Sequence, residues 1–276
     1  MRITDLVDHA RPIVMVTAYD FPTAEIVDEA GVDIVLVGDS AANVVLGYAT
    51  TVPVSVDELL VLVRAVRRGV RGALLVADLP FGSYEVSDEQ AVATAIRFVK
   101  EGGADAVKLE RAGTSVARAA AVVAAGIPVM GHVGLTPQTA TALGGFRAQG
   151  RQAGRAAAIT RDALALQAAG CFSVVLEAVP APVAARTAEL LEVPVIGIGA
   201  GHAVDGQVLV LHDLVGLTPD PAPKFVQRYA DARAVIGDAV RAYVDDVRAG
   251  RFPTPAHTYP IADDELAAYQ GLVTDL

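Results

Sequence analysis

The chain contains very little cysteine and no long apolar run. Cys171 is the single cysteine among 276 residues, which excludes a disulfide framework within the chain and leaves no cysteine spacing for zinc. We interpret Cys171 as a small, buried apolar residue. No uncharged apolar stretch reaches the ~18 residues that a membrane span needs, and the first residues carry no apolar leader of the secretory type. These absences predict a soluble, cytoplasmic protein without a membrane partner.

Positive charge is also scarce. Lys and Arg number 22 against 32 Asp and Glu, for a formal net charge of −10. Because a nucleic-acid surface needs a dense basic field, this balance predicts no nucleic-acid partner. An anionic ligand must instead be held by a metal, a local lysine or backbone N–H groups. Hydrophobic residues, by contrast, make up 53% of the chain, which is enough for a large core.

Short β-branched runs alternate with Ala-rich segments along most of the chain. Both faces of most runs are apolar, which is typical of a parallel sheet covered on both sides. The eight predicted strands are 12–19, 33–39, 73–79, 105–110, 127–133, 171–178, 193–199 and 207–213. Helices are predicted over 23–31, 55–69, 87–103 and 154–170. The second of these helices opens with a capping box formed by Ser55 and Glu58.

This alternation predicts an α/β fold: a closed (β/α)8 TIM barrel, forming one domain over 1–276, with a C-terminal helical tail at 224–250. An open, doubly wound sheet is the alternative, because the number of strands rests on pattern alone. Two connections, 40–54 and 134–153, are long enough to be typical of functional loops.

Titratable residues end five consecutive predicted strands. The carboxyl ends of barrel strands meet at one rim, where the chemistry of such barrels lies. We therefore expect these side chains to converge, and Lys108 to face the same side of its strand as the acid two residues further on. The five residues, in strand order, are Asp39, Asp78, Glu110, His132 and Glu177.

Each of these residues also has a structural interpretation. An acid after a strand can cap the next helix, as at Asp39, or close an Asx-turn, as at Asp78. Lys108 and Glu110 can form an ion pair and nothing more. Glu177 is harder to explain structurally, because a carboxylate within an apolar run is costly to bury unpaired.

The joint pattern indicates more than any single member. Three or four carboxylates without equal basic compensation repel one another, and a divalent cation relieves that repulsion. Oxygen ligands favour a hard ion such as Mg²⁺, which takes one or two carboxylates together with water and substrate. A carboxylate is then left for proton transfer. The pattern therefore predicts metal-assisted proton abstraction next to a carbonyl group.

One glycine-rich segment leaves two interpretations open. Residues 197–206, GIGAGHAVDG, follow the seventh predicted strand, where barrels often hold anions, but they miss the G-x-G-x-x-G spacing. The glycines can equally serve tight packing. His132, taken alone, is typical of a buried histidine with its hydrogen bonds satisfied, and His212 and Asp213 are expected to point apart on the eighth strand.

Several motifs together resemble the ketopantoate hydroxymethyltransferase family, from about residue 3 to residue 260. They include IVLVGDS, VADLPFGSYE, VKLE, IPVMGHVGLTPQ, GGFRAQG, VVLEAVP and IGIGAG. The resemblance implies a (β/α)8 barrel that assembles as a homo-oligomer, commonly a decamer, and uses Mg²⁺. It also implies transfer of a hydroxymethyl group from 5,10-methylenetetrahydrofolate to 3-methyl-2-oxobutanoate through a Mg-stabilised enolate. The product would be 2-dehydropantoate, on the route to pantothenate and coenzyme A.

The resemblance also implies roles for individual residues. Glu177 matches the proton acceptor of the family. The metal ligands would be Asp39, Asp78 and Glu110, the last directly or through water. The residues that bind substrate would be Asp39, Ser40, Asp78, Lys108 and His132.

The chain departs from the family pattern at two places beside these residues. It has KLERAG where the family has KLEGG, which introduces Arg111, and GDSAA where the family has GDSLG, which introduces Ala41 and Ala42. Arg111 could pair with Glu110 or with the glutamate tail of folate. Two alternatives to the family function stay open. One is another Mg²⁺-dependent 2-oxo-acid lyase or mutase, although the KKCGH loop of those enzymes is absent. The other is an idle, metabolite-binding barrel.

Overall fold

The structure, a computed structural model, describes residues 3–7 and 11–274. The chain divides into two compact units, Met1–Ala230 and Asp231–Leu276. The first unit contains the barrel and the second contains the last two helices. The single domain predicted over 1–276 stays a prediction, because compactness within each unit does not decide whether the two fold together.

Eight parallel strands close into a barrel in their order along the chain, which confirms the predicted fold and excludes the open sheet. Each strand pairs with the next, and β8 pairs with β1. The strands are β1 Ile13–Thr17, β2 Ile34–Val37, β3 Leu74–Asp78, β4 Ala106–Glu110, β5 Val129–Gly134, β6 Ser173–Glu177, β7 Val195–Ile198 and β8 Gly206–Leu209.

The four helices predicted within the barrel begin and end within three residues of the structure. The capping box forms as expected: Glu58 N–H donates to Ser55 Oγ at 3.2 Å, and Ser55 N–H donates to Glu58 Oε2 at 2.8 Å. The helices are α1 Ile3–Val7, α2 Phe21–Glu29, α3 Ala41–Val44, α4 Val56–Gly69, α5 Asp88–Lys100, α6 Thr114–Ala124, α7 Ala153–Ala168, α8 Ala181–Leu190, α9 Leu211–Leu214, α10 Ala232–Arg248 and α11 Asp263–Leu272.

The sequence prediction was wrong at the end of the barrel. Strand β8 stops at Leu209, and His212 and Asp213 lie in the short helix α9 rather than on the strand. Strict alternation also breaks down, because residues 199–205 join β7 to β8 without a covering helix. The predicted tail at 224–250 contains α10 from Ala232 onwards, and α11 follows it as a helix that the sequence prediction missed.

Two apolar layers explain why the barrel forms. Outward-facing strand residues such as Val35 and Leu75 pack with helix residues such as Leu59 in the larger cluster. Inward-facing residues form a separate cluster at every second strand position, because side chains alternate across a strand. Its members include Ile34, Leu36, Leu74, Val76, Ala106, Met130 and Val175. The inner layer fixes which later strand residues point into the mouth of the barrel.

Candidate active site

Period-two alternation places the titratable residues inside the barrel mouth. Val76 faces inward on β3, so Asp78 does too, and Ala106 on β4 directs Lys108 and Glu110 to the same side. Strands β5 and β6 repeat the arrangement with His132 and Glu177, two positions after Met130 and Val175. We call six residues the acid–base cluster: Asp39, Asp78, Lys108, Glu110, His132 and Glu177. The predicted site residues therefore do converge.

Strand register makes neighbours of residues that are distant in sequence. Asp78 lies opposite Lys108 in the β3–β4 pairing, and the Lys108 ammonium donates to Asp78 Oδ1 at 2.6 Å. The other carboxylate oxygen, Oδ2, accepts from Asp39 N–H at 3.0 Å. Both partners of the ion pair are buried. Burial opposes the charged form of Lys108, but the carboxylates of Asp78 and Glu110 outweigh it and raise the pKa of Lys108.

Asp39 carries the least compensated charge of the acid–base cluster. Burial, together with the nearby carboxylates of Glu110 and Asp78, raises the pKa of Asp39 well above its ordinary value. Its Oδ2 atom is buried and has no hydrogen-bond partner among the described residues. A buried carboxylate oxygen without a partner is costly, and a bound cation is one way to satisfy it.

His132 lies between two carboxylates. Its Nδ1 is 3.2 Å from Glu110 Oε1, and its Nε2 is 3.3 Å from Glu177 Oε2. Neither contact has ordinary hydrogen-bond angles, so charge carries most of the attraction. Burial and Lys108 disfavour the imidazolium, but the two carboxylates outweigh them and raise the pKa of His132 to about 9. His132 therefore links Glu177 to the buried part of the site, which an isolated buried histidine would not do.

Two residues that the sequence analysis did not single out, Gln138 and Tyr84, hold Glu110 in place. Gln138 N–H donates to Glu110 Oε2 at 3.1 Å, and Tyr84 OH donates to Gln138 Oε1 at 2.6 Å. The Gln138 amide in turn donates to the Leu79 carbonyl at 2.9 Å. Both residues lie in motifs that carry the family resemblance, and that position was the only signal in the sequence that pointed to them.

Ser40 is tied to the barrel rather than to a helix cap. It precedes α3 but makes no capping bond, and its Oγ lies 2.7 Å from Tyr19 OH. A Cβ at Gly38 would come within 2.8 Å of Ser40 Oγ, so the glycine makes room for this contact. Asp78 does not close an Asx-turn either, because its oxygens accept from Lys108 and from the Asp39 N–H.

The acid–base cluster lines a cavity of about 200 Å³ whose remaining wall is mainly apolar. Five carboxylates line this cavity, because Asp213 joins the four of the acid–base cluster, and they face two cationic side chains. Negative charge is therefore in excess even when His132 is protonated. Within residues 3–7 and 11–274, no set of three or more His, Cys, Asp or Glu side chains is arranged to hold a metal ion. Mg²⁺ typically takes only one or two carboxylates. The unpartnered Oδ2 of Asp39 fits that smaller requirement. Asp78 lies beside it, but the oxygens of Asp78 already accept from Lys108 and the Asp39 N–H, and those of Glu110 face His132 and Gln138.

A closed barrel with a buried acid–base cluster at the carboxyl ends of its strands defines the class of (β/α)8-barrel enzymes that move protons. Comparison with known proteins narrows the class: residues 1–255 match the family model described as ketopantoate hydroxymethyltransferase. The chain belongs to this family, and it is therefore an enzyme, a hydroxymethyltransferase.

Named relatives agree with this assignment. The chain is 60% identical over 246 residues to the 3-methyl-2-oxobutanoate hydroxymethyltransferase of Frankia alni, covering 89% of this chain and 80% of the relative. It is 53% identical over 272 residues to the mitochondrial 3-methyl-2-oxobutanoate hydroxymethyltransferase 1 of Arabidopsis thaliana, covering 96% of this chain and 78% of the relative.

Solved structures show the fold alone. A phosphoenolpyruvate phosphomutase from Streptomyces platensis subsp. rosaceus aligns with a TM-score of 0.63 at 16% identity, covering 99% of this chain and 98% of that one. A phosphonopyruvate hydrolase, solved in complex with oxalate and Mg²⁺, aligns with a TM-score of 0.61 at 13% identity, covering 98% of this chain and 97% of that one. No described helix has the length and apolar character to cross a bilayer.

Proposed function

We propose that this hydroxymethyltransferase moves a one-carbon unit from 5,10-methylenetetrahydrofolate to C3 of 3-methyl-2-oxobutanoate, with Mg²⁺ as its metal, and forms 2-dehydropantoate. The observation that carries the proposal is the position of Glu177. Its carboxylate is the one member of the acid–base cluster that is partly open, with 15% of the side chain exposed, and it is held at one oxygen by His132.

The residues at the buried end bind and orient the oxo-acid. Asp39 and Asp78 would hold Mg²⁺, with Glu110 close by or acting through water, and the bound ion would withdraw electron density from the 2-oxo acid. Lys108 and Ser40 line the same cavity, and their ammonium and hydroxyl groups would bind the carboxylate and carbonyl end of the substrate. The low polarity of the surrounding barrel strengthens each of these contacts.

The open end moves the proton. Glu177 accepts the hydrogen of C3 at a carboxylate oxygen, while His132 keeps the carboxylate oriented. The electron pair of the broken C–H bond then forms the new C–C bond to the one-carbon unit. Both C–N bonds of the methylene bridge break, and each electron pair stays on its folate nitrogen. Water supplies the hydroxyl group, and the two folate nitrogens take up the remaining proton of water and the proton that Glu177 accepted. Proton abstraction by a positioned base typically contributes ~10²–10⁴-fold to rate.

The alternative of a cysteine-dependent lyase or mutase finds no support in the site. Cys171 is buried just before β6, at the opposite end of that strand from Glu177. Burial raises the pKa of its thiol to about 12, which disfavours a reactive thiolate.

Product formation tests the proposal directly. The purified protein, supplied with both substrates and Mg²⁺, is expected to form 2-dehydropantoate, and EDTA is expected to abolish that activity until Mg²⁺ is restored. Without folate, the protein should still exchange the C3 hydrogen of 3-methyl-2-oxobutanoate for deuterium. An idle barrel gives neither product nor exchange, and either failure contradicts the proposal. The homodecamer and the cytoplasmic location stay predictions, and sedimentation would test the first.

A further inference from the structure

A second, larger cavity opens beside Glu177. It measures about 1170 Å³, somewhat above the ~300–1,000 Å³ typical of ligand pockets, and it is lined in part by the β7–β8 connection. Phe146, Glu177, Pro223 and Phe225 line both this cavity and the smaller one around the acid–base cluster. The two cavities therefore meet at the carboxylate that we propose as the base.

The charge of this cavity is opposite to that of the whole chain. Its lining contains Arg147, His202 and Lys224, whereas Glu177 is its only acidic lining residue among those the structure describes. None of these three basic side chains takes part in an ion pair of the described residues. In a chain with a net charge of −10, a cavity wall with unpaired positive charge favours an anionic ligand.

Aromatic and proline side chains provide the other contacts. Phe146 and Phe225 stand where this cavity meets the acid–base cluster, and Pro221 and Pro223 continue the wall. Flat apolar side chains of this kind can pack against an aromatic ring system. A Cβ at Gly199 would lie 2.7 Å from the Phe225 ring, so tight packing accounts for this glycine and fixes the ring.

A third cavity offers a competing anion site, and its position argues against it. It measures about 420 Å³ and contains Arg111 and Arg155 together with Asp162. It shares no lining residue with the cavity around the acid–base cluster. Of these two cavities, the larger one is therefore the one that adjoins the acid–base cluster, where a ligand must present its reactive carbon to the substrate.

We propose that the larger cavity binds the reduced folate, with its aromatic rings against Phe146 and Phe225 and its glutamate carboxylates against Arg147 and Lys224. This inference rests on the proposed function and adds a binding site for the co-substrate. The ring end, which carries the one-carbon unit, then lies toward Glu177, while the two carboxylates of the glutamate tail meet the unpaired cations.

Binding of two folate probes to the full chain tests this orientation. The probes are tetrahydrofolate and tetrahydropteroate, which share their ring systems but differ in the glutamate tail. The variant is Arg147→Gln with Lys224→Gln, and the matched control is Arg161→Gln with Lys100→Gln, an exposed pair of the same residue types that does not line this cavity. Calorimetry gives the Kd of each probe for each protein.

We expect the wild type and the control to bind tetrahydrofolate more tightly than tetrahydropteroate. The double variant should weaken tetrahydrofolate binding about tenfold, leave tetrahydropteroate binding nearly unchanged, and lose most of the salt dependence, because it removes two attractive charges. An unchanged ratio of the two Kd values in the double variant overturns the inference. The inference is also overturned if Arg111→Gly binds tetrahydrofolate no more tightly than tetrahydropteroate, because that result would place the glutamate tail in the 420 Å³ cavity.

These outcomes are distinct from failure of the proposed function. If the wild type forms 2-dehydropantoate but the double variant keeps the wild-type Kd ratio, only the folate orientation falls. If the wild type forms no product and exchanges no C3 deuterium, the proposed function falls first, whatever the binding data show.

Discussion

The two ends of the active site are built on different physical principles. At the buried end, Asp78 and Lys108 have 2% and 5% of their side chains exposed and form a direct ion pair. At the open end, Glu177 borders a large cavity and is held at one oxygen by His132 alone among its described ion-pair partners. The buried end depends on compensation of charge in a dry interior. The open end leaves one carboxylate accessible to reactants.

The sharpest test of this difference is Glu177→Gln. It removes the proton acceptor but keeps the shape of the side chain, so we expect kcat to fall about thousandfold, within the range for loss of a general base. The fold should stay intact, because this end of the site is not a buried ion pair. Rates of product formation and of C3 deuterium exchange measure the effect.

Glu192→Gln is the matched control for this change. Glu192 is exposed after α8, and within the described part of the chain its one hydrogen bond is from its backbone N–H to Gln167 Oε1, at 2.7 Å. Its replacement should leave kcat within twofold, by the general rule for surface substitutions. Near wild-type exchange by Glu177→Gln would show that another group takes the proton.

At the buried end, Lys108→Met is expected to act on stability as well as on activity. It leaves Asp78 without its ion-pair partner and removes the positive charge near Asp39 and Glu110. Breaking a buried pair costs ~3–5 kcal/mol. Thermal unfolding should show a midpoint several degrees lower than that of the wild type. Lys100→Met, at an exposed position on α5, should change it little.

A double variant decides whether the lost charge is the cause. If unpaired negative charge destabilises Lys108→Met, adding Asp78→Asn should restore part of the stability. The asparagine is neutral, so no buried carboxylate is left at position 78 without its lysine. Additive losses from the two changes would mean that packing, not charge, accounts for the effect.

Most of the barrel could be predicted because each strand carries its own local signal. The β-branched runs identify the strands. The acid that closes each run, at Asp78, Glu110 or Glu177, marks the carboxyl end of that strand. The eighth strand was overextended because apolar residues continue beyond Leu209, and periodicity alone does not separate a short buried helix from a strand. The backbone turns into α9 there.

The site could be predicted as a set of residues but not as a set of contacts. Alternation along one strand places Lys108 and Glu110 on one side, which needs no information from other strands. The link from Glu110 through His132 to Glu177 depends on register across β4, β5 and β6, which no local pattern specifies. Tyr84 reaches Glu110 from a loop, so long-range packing alone brings it there.

Tyr84→Phe tests how strongly that support matters. The change removes the hydroxyl that donates to Gln138 Oε1 at 2.6 Å and accepts from Glu110 N–H at 3.3 Å. Buried groups left without partners cost ~1–3 kcal/mol, so the unfolding midpoint should fall by a few degrees. Tyr48→Phe removes an exposed bond to Glu58 of 2.7 Å and should have a smaller effect. Equal shifts in the two variants would contradict a supporting role that depends on burial.

The smallest effect is expected at Arg111, beside the buried end. Its φ of 70° lies in the left-handed region, which costs a non-glycine residue ~1–2 kcal/mol, and the family pattern has glycine here. Arg111→Gly should therefore raise stability slightly, by ~0.5 kcal/mol after the added freedom of the unfolded chain is subtracted. Arg155→Gly, in the first turns of α7, should instead lower it by up to ~1 kcal/mol. If Arg111→Gly is destabilising, contacts of the arginine side chain outweigh the backbone strain. The buried end of the site would then depend on the Arg111 guanidinium, which is in none of the ion pairs described there.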